Sequence, residues 1–138
     1  MKKITKFKKL VTALIVMLVL LFTSSSLAQA ASSSAKLTSN QTSSSGSWVK
    51  IFSTKPKETK TTAVIKAKNT GKASMRVSIM FPYDSYPDRE VKFWTLKSGE
   101  SLNKTVSLTN GTYSIRLQQL NMSPYVKGTS GNGSLSKK

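Results

Sequence analysis

The sequence predicts an all-β protein, an antiparallel β-sandwich of about six strands, and three observations carry that expectation. Between 48 and 119 the apolar residues alternate with a period of two, the mark of strands with one face to bury. Glycine, asparagine and serine interrupt those runs where turns are needed. Past residue 22 no stretch carries the apolar stripe of an amphipathic helix.

The chain begins with Lys2, Lys3, Lys6, Lys8 and Lys9, runs through an apolar stretch at 10–22 broken only by Thr12 and reaches Ala28-Gln29-Ala30. A basic start, an apolar core and small residues at a cleavage point make an export signal over 1–30. This stretch of 13 residues falls short of the ~20 that a spanning helix requires. The expected product is secreted, extracellular or cell-wall associated, with no stable membrane insertion after cleavage. The lysine-rich start resembles those of proteins exported by Gram-positive bacteria. No cysteine is present, so neither a lipid anchor on cysteine nor a disulfide is available.

Residues 31–47 are nearly all small or polar, and 127–138 are glycine, serine, threonine and lysine around one asparagine and one leucine. Such segments bury little apolar surface against the entropy of ordering. They are expected to be a disordered Ser/Thr-rich linker and a flexible basic tail, leaving 48–126 as one sandwich domain, a monomer.

Within that domain the strands are expected near 48–54, 61–68, 73–81, 90–96, 102–108 and 112–119. In 48–54 both parities are apolar. Ala63, Ile65 and Ala67 alternate with Lys66 and Lys68; Met75, Val77, Ile79 and Phe81 alternate with Arg76 and Ser78. In the fifth run Lys104 falls on the apolar parity of Leu102, Val106 and Leu108, which calls for a bulge or a side chain that snorkels from an edge. The last run sets Tyr113, Ile115 and Leu117 against Ser114, Arg116 and Gln118. Asn69-Thr70-Gly71 is positioned to join the second and third runs as a hairpin, and Asn110-Gly111 to pair 102–108 with 112–119 through a type I′ turn. Two sheets face to face bury one side of every strand; an open barrel is the alternative.

From Thr95-Leu96-Lys97-Ser98-Gly99-Glu100-Ser101 through Val106 to Asn110-Gly111-Thr112-Tyr113 and Leu117, the chain resembles a phrase common in secreted bacterial β-sandwiches, including pre-peptidase C-terminal-type and jelly-roll accessory domains. The resemblance covers 95–117. Its physical content is a hairpin, so it implies fold and export rather than an activity.

Charge narrows the function. The chain has 22 Lys and Arg against 5 Asp and Glu, a net charge of +17. Loss of 1–30 removes five lysines and no acid, leaving +12. That balance points to an anionic cell-wall polymer or polysaccharide as partner, with no specific nucleic acid because no binding motif is present. The plain alternative is solubility combined with lysine protection of exposed strand edges. The absence of His and Cys excludes Ser-His and Cys-His nucleophiles and the usual zinc ligands.

The remaining chemistry centres on the 82–90 loop, where Asp84, Asp88 and Glu90 could gather around Ca²⁺ or act as an acid–base pair on a glycosidic bond. The alternative for these acids is to cap turns and pair with Arg89 or neighbouring lysines. No other cofactor is expected. On the fourth strand Trp94 shares its parity with Lys92, opposite Val91 and Phe93, which predicts an outward indole beside a cation and near Tyr83 and Tyr86. Such a group stacks on a sugar ring; the alternative is that a second layer or the loop covers it. Trp48 and Tyr113 are assigned to the core. Lys66, Lys68, Arg76, Lys92 and Arg116 complete the candidate binding set, and form one basic face only if their strands share a sheet.

The expected function is therefore a secreted, non-catalytic basic module that associates with an anionic extracellular surface or polysaccharide. A cationic antimicrobial or toxin-like protein, and a calcium-dependent binder or hydrolase at 82–90, are the alternatives.

Overall fold

Nine strands among the described residues form two sheets, and the chain crosses between the sheets six times along its length. The structure, a computed structural model, describes residues 32–84, 87–120 and 128–138. The strands are β1 (Ser32–Leu37), β2 (Ser43–Ser45), β3 (Val49–Ile51), β4 (Lys60–Asn69), β5 (Met75–Phe81), β6 (Arg89–Leu96), β7 (Ser101–Thr109), β8 (Gly111–Gln119) and β9 (Gly131–Lys137). One sheet has the order β1-β9-β4-β7; the other runs β2-β8-β5-β6, with β3 also paired to β8 beyond β2. Every pairing is antiparallel. This is a β-sandwich wound as a jelly roll, not a barrel.

The alternation in the sequence accounts for the core. Ala63, Ile65 and Ala67 of β4, with Leu135 of β9 beside them, face Met75, Val77 and Ile79 of β5 and Ile115 and Leu117 of β8, all at most 7% exposed. Each large aliphatic side chain withdrawn from water contributes about 1.5–3 kcal/mol before the entropy of ordering is charged against it. Val49 and Ile51 turn inward on β3, while Trp48 and Phe52 on either side remain exposed, at 43% and 47%. That resolves the doubly apolar 48–54 segment and corrects the assignment of Trp48 to the core. Tyr113 is buried as expected, its ring tilted against Phe81.

The expected linker and tail are both strands. In β1, Ser33, Ala35 and Leu37 point inward, and in β9 Gly131 and Leu135 do so. These residues are small because the sheets come close here: a Cβ on Gly131 would stand 2.7 Å from Met75 Sδ, and one on Gly133 2.7 Å from Ile115 Cδ1, both on the opposite sheet. Polar composition concealed the strands because a thin part of a core needs little apolar bulk. The Ile115 amide donates to Ser33 Oγ across the two sheets at 3.1 Å, tying β1 to β8. Residues 1–31, which hold the expected export signal, lie outside the described residues.

Both expected hairpins are instead crossings. β4 pairs with β7 and β9, and β5 with β6 and β8, so Asn69-Thr70-Gly71 carries the chain from one sheet to the other. Asn69 is fully buried and satisfied: its Nδ2 donates to the Ala73 and Leu96 carbonyls, and its Oδ1 accepts from the Gly71 amide. Asn110 makes the second crossing, accepting from the Ser53 amide and donating to the Glu58 carbonyl. The asparagines serve as side-chain clamps on loops rather than as positive-φ turn residues, and only Lys57, Gly99 and Gly128 have positive φ among the described residues.

Lys104 lies opposite Ile65 on β7, an edge strand, in unbroken register. It is exposed, so the side chain snorkels from the edge and no bulge is needed. The other sheet has the same device: Lys92 pairs with the buried Ile79 on the edge strand β6, beside a register shift at Ile79/Met80. An inward-parity lysine on each of these edges blocks docking of another strand.

Candidate functional site

Register defines what each outer face presents. On the four-stranded sheet β4 turns Lys60, Thr62, Val64, Lys66 and Lys68 outward. Across the strands these meet Lys36, Asn132, Lys68 and Ser101 in one row, then Ser34, Ser134, Lys66 and Asn103, then Ser32, Ser136, Val64 and Thr105. None of β1, β4, β7 or β9 contains an acid or an aromatic residue. The ion pairs among the described residues are Lys55–Glu58, Arg76–Glu90 and Arg116–Asp88, none of which engages a lysine of this face. The face is a hydroxyl and amide grid studded with uncompensated ammonium groups.

Two depressions open on this grid. A trough of about 390 Å³ is bounded by Ser34, Lys66, Lys68, Asn132 and Ser134. At the far end of β4 a second, of about 300 Å³, lies against Ser53, Thr54, Lys55, Lys60, Lys137 and Lys138. Glu58 lines it too, paired with Lys55 and held below the usual carboxylate range by the Ser53 hydroxyl and then by Lys55.

The outer face of the five-stranded sheet is built differently. The Arg76 guanidinium grips Glu90 through two nitrogens, Nε donating at 3.0 Å, while Ser78 Oγ donates to the same carboxylate at 2.6 Å. Arg76 also lies 3.8 Å from the Phe93 ring centre. These contacts, Arg76 foremost, hold the Glu90 carboxyl below its ordinary range, and the carboxylate in turn raises Arg76. Asp88 reaches Arg116 at 3.7 Å. Glu90 thus neutralises an arginine of the adjacent strand and Asp88, just before β6, one of a strand two positions away, rather than pairing with Arg89 or lysines.

The candidate set is accordingly divided. Lys66 and Lys68 belong to the four-stranded face; Arg76 and Arg116 project from the other; Lys92 takes an inward parity at its edge. Trp94 shares parity with Lys92 as read, but the shared side is the inner one: Trp94 pairs with fully buried Val77 and packs on the core, while Phe93 is 53% exposed. The lysine misleads because an edge position lets its ammonium reach water from an inward start. Tyr83 is exposed and Tyr86 lies outside the described residues. No group of three His, Cys, Asp or Glu among the described residues, Asp84, Asp88 and Glu90 included, could hold a metal ion, and Asp88 and Glu90 are engaged by Arg116 and Arg76.

Sequence reading missed Lys36, Lys60, Lys137 and Lys138, three of them in segments taken as linker and tail. The signals were the alternation Ser33, Ala35, Leu37 and its counterpart Gly131, Gly133, Leu135.

No protein-family model matches the chain, and no curated protein matches it. Solved structures are similar at low identity. They include PirA (TM-score 0.42, 10% identity, 83% of this chain and 99% of that one). A CBM4 protein follows at TM-score 0.40 and 14% identity, over 70% of this chain and 61% of the other. A family 16 carbohydrate-binding module has the same score and identity over 75% and 72%.

Proposed function

We propose that the protein is an exported, non-catalytic module that attaches to an acidic polysaccharide of the cell wall or matrix through the outer face of its four-stranded sheet. One observation carries the reading: Lys36, Lys60, Lys66 and Lys68 project from a face whose strands contain no carboxylate. Export is supported by the leader-like order of 1–30. Serine, threonine and asparagine between the lysines exchange hydrogen bonds with sugar hydroxyls. Nucleic acid fits less well, since strand-independent base binding relies on aromatic platforms and these four strands have none. A membrane surface fits less well too, since Val64 is the one large apolar side chain on the rows described and interfacial binding needs buried apolar area.

The test is binding of the purified protein to polygalacturonate. Replacing Lys36, Lys60, Lys66 and Lys68 together by Gln is expected to weaken binding at least about tenfold, and raising salt to 1 M, where the Debye length falls to about 3 Å, to weaken the wild type comparably. The same change of charge at Lys50, Lys72, Lys92 and Lys97 should leave affinity nearly unaltered. Equal losses in the two variants, or indifference to salt, would reduce the basic surface to a generic solubility device.

A further inference from the structure

Resting on that reading, we infer that the ligand is a linear acidic glycan long enough to bridge two separate lysine clusters at opposite ends of the four-stranded face. The first cluster is Lys36, Lys66 and Lys68 around the trough floored by β9; the second is Lys60, Lys137 and Lys138 around the depression beside the 53–58 loop, where Lys55 is already held by Glu58. β4 is continuous from Lys60 to Asn69, so the six residues from Lys60 to Lys66 span about 20 Å at the rise of a strand. The surface between is not charged: Thr62 and Val64 on β4, Ser136 on β9, and Thr105 and Ser107 on β7 fill it. A small anion satisfies one cluster and leaves the other empty. A chain of acidic sugars lying along β4 meets ammonium groups at both ends and hydroxyls in the middle.

This geometry makes the second contact intramolecular once the first has formed. Affinity then rises abruptly when the ligand's contour passes the gap, by a factor on the order of 100, rather than growing smoothly with the number of charges. The row spacing favours this direction of lie. Lys36 and Lys68 occupy one row, two strand spacings or about 10 Å apart, so the first cluster spreads across the strands and holds the chain's end against sliding sideways.

The experiment is titration of the purified protein with oligogalacturonates of graded length, alongside two variants, Lys66→Gln/Lys68→Gln and Lys60→Gln/Lys138→Gln. Wild type is expected to show a step in affinity near a contour of about 20 Å. Each variant should abolish the step while lowering affinity for the shortest oligomers only about twofold, because one of two clusters survives. A smooth rise with length, or a step removed by only one variant, would overturn bridging and leave attachment through the lysine face standing. Wild-type affinity in both variants at every length would overturn the attachment itself. Competition by single-stranded DNA of equal charge, at equal concentration, would overturn the assignment to a glycan.

Discussion

On the five-stranded sheet each arginine of the outer face meets a carboxylate, Arg76 with Glu90 and Arg116 with Asp88, whereas on the four-stranded sheet Lys36, Lys60, Lys66 and Lys68 stand among serines, threonines and asparagines with no acid on their strands. All five acids of the chain, Glu58, Asp84, Asp88, Glu90 and Glu100, lie outside β1, β4, β7 and β9. The difference teaches that a net charge does not describe a surface. Cations held by carboxylates support the fold locally, and cations without partners remain available to an external anion. Arg76 and Arg116 on the five-stranded sheet are of the first kind, and Lys36, Lys60, Lys66 and Lys68 on the four-stranded face are of the second.

The widest break in that comparison is expected from Gly131→Ala. β9 lies between β1 and β4, so distorting it disrupts the lysine face at its centre. The new methyl would stand 2.4 Å from the Lys68 carbonyl oxygen and 2.7 Å from Met75 Sδ, and a loss of about 3 kcal/mol is expected in urea unfolding. An unchanged midpoint would mean that this segment is not part of the packed sheet.

Glu90→Gln sharpens the opposite face. Removing a charged acceptor shared by Arg76 and Ser78 should lower stability by about 1–2 kcal/mol. The pH dependence has a definite sign. Because Arg76, and then Ser78, hold the folded carboxyl below its ordinary value, the pair contributes fully above the unfolded carboxylate range and fades as pH falls through the lower folded value. Wild type should therefore lose stability on acidification more steeply than the variant. Parallel acid profiles from thermal melts would exclude a stabilising role for the pair.

The smallest effect is expected on the lysine face. Lys66→Gln with Lys68→Gln should change unfolding free energy by no more than about 0.5 kcal/mol, since both side chains are exposed and make no ion pair. A marked loss would show these lysines to be structural, and the contrast between the faces would collapse.

The strands were readable where apolar residues are large. Ala63-Ile65-Ala67, Met75-Val77-Ile79 and Tyr113-Ile115-Leu117 appear where alternation places them, since a strand with one buried face has no other way to distribute such residues. β1 and β9 escaped notice because Ser33, Gly131 and Gly133 do by close approach what larger side chains do elsewhere. The candidate site was half visible. Lys66 and Lys68 were singled out and do share the exposed face, but Lys36 and Lys138 were hidden in segments whose composition suggested no fold.

By itself the sequence determined where most strands run, that the usual His and Cys chemistry is unavailable, and that the chain is strongly cationic. Only the tertiary structure decided which strands are neighbours, and with that which charges share a face. The reason lies in the range of the interactions. Alternation is a local property that distinguishes the two sides of a strand without saying which side is inner, as Lys92 and Trp94 demonstrate at an edge. Sheet partnership is settled over long separations by loops such as Asn69-Thr70-Gly71, whose residues suit a hairpin and a crossing alike until the buried asparagine finds its partners in Ala73 and Leu96.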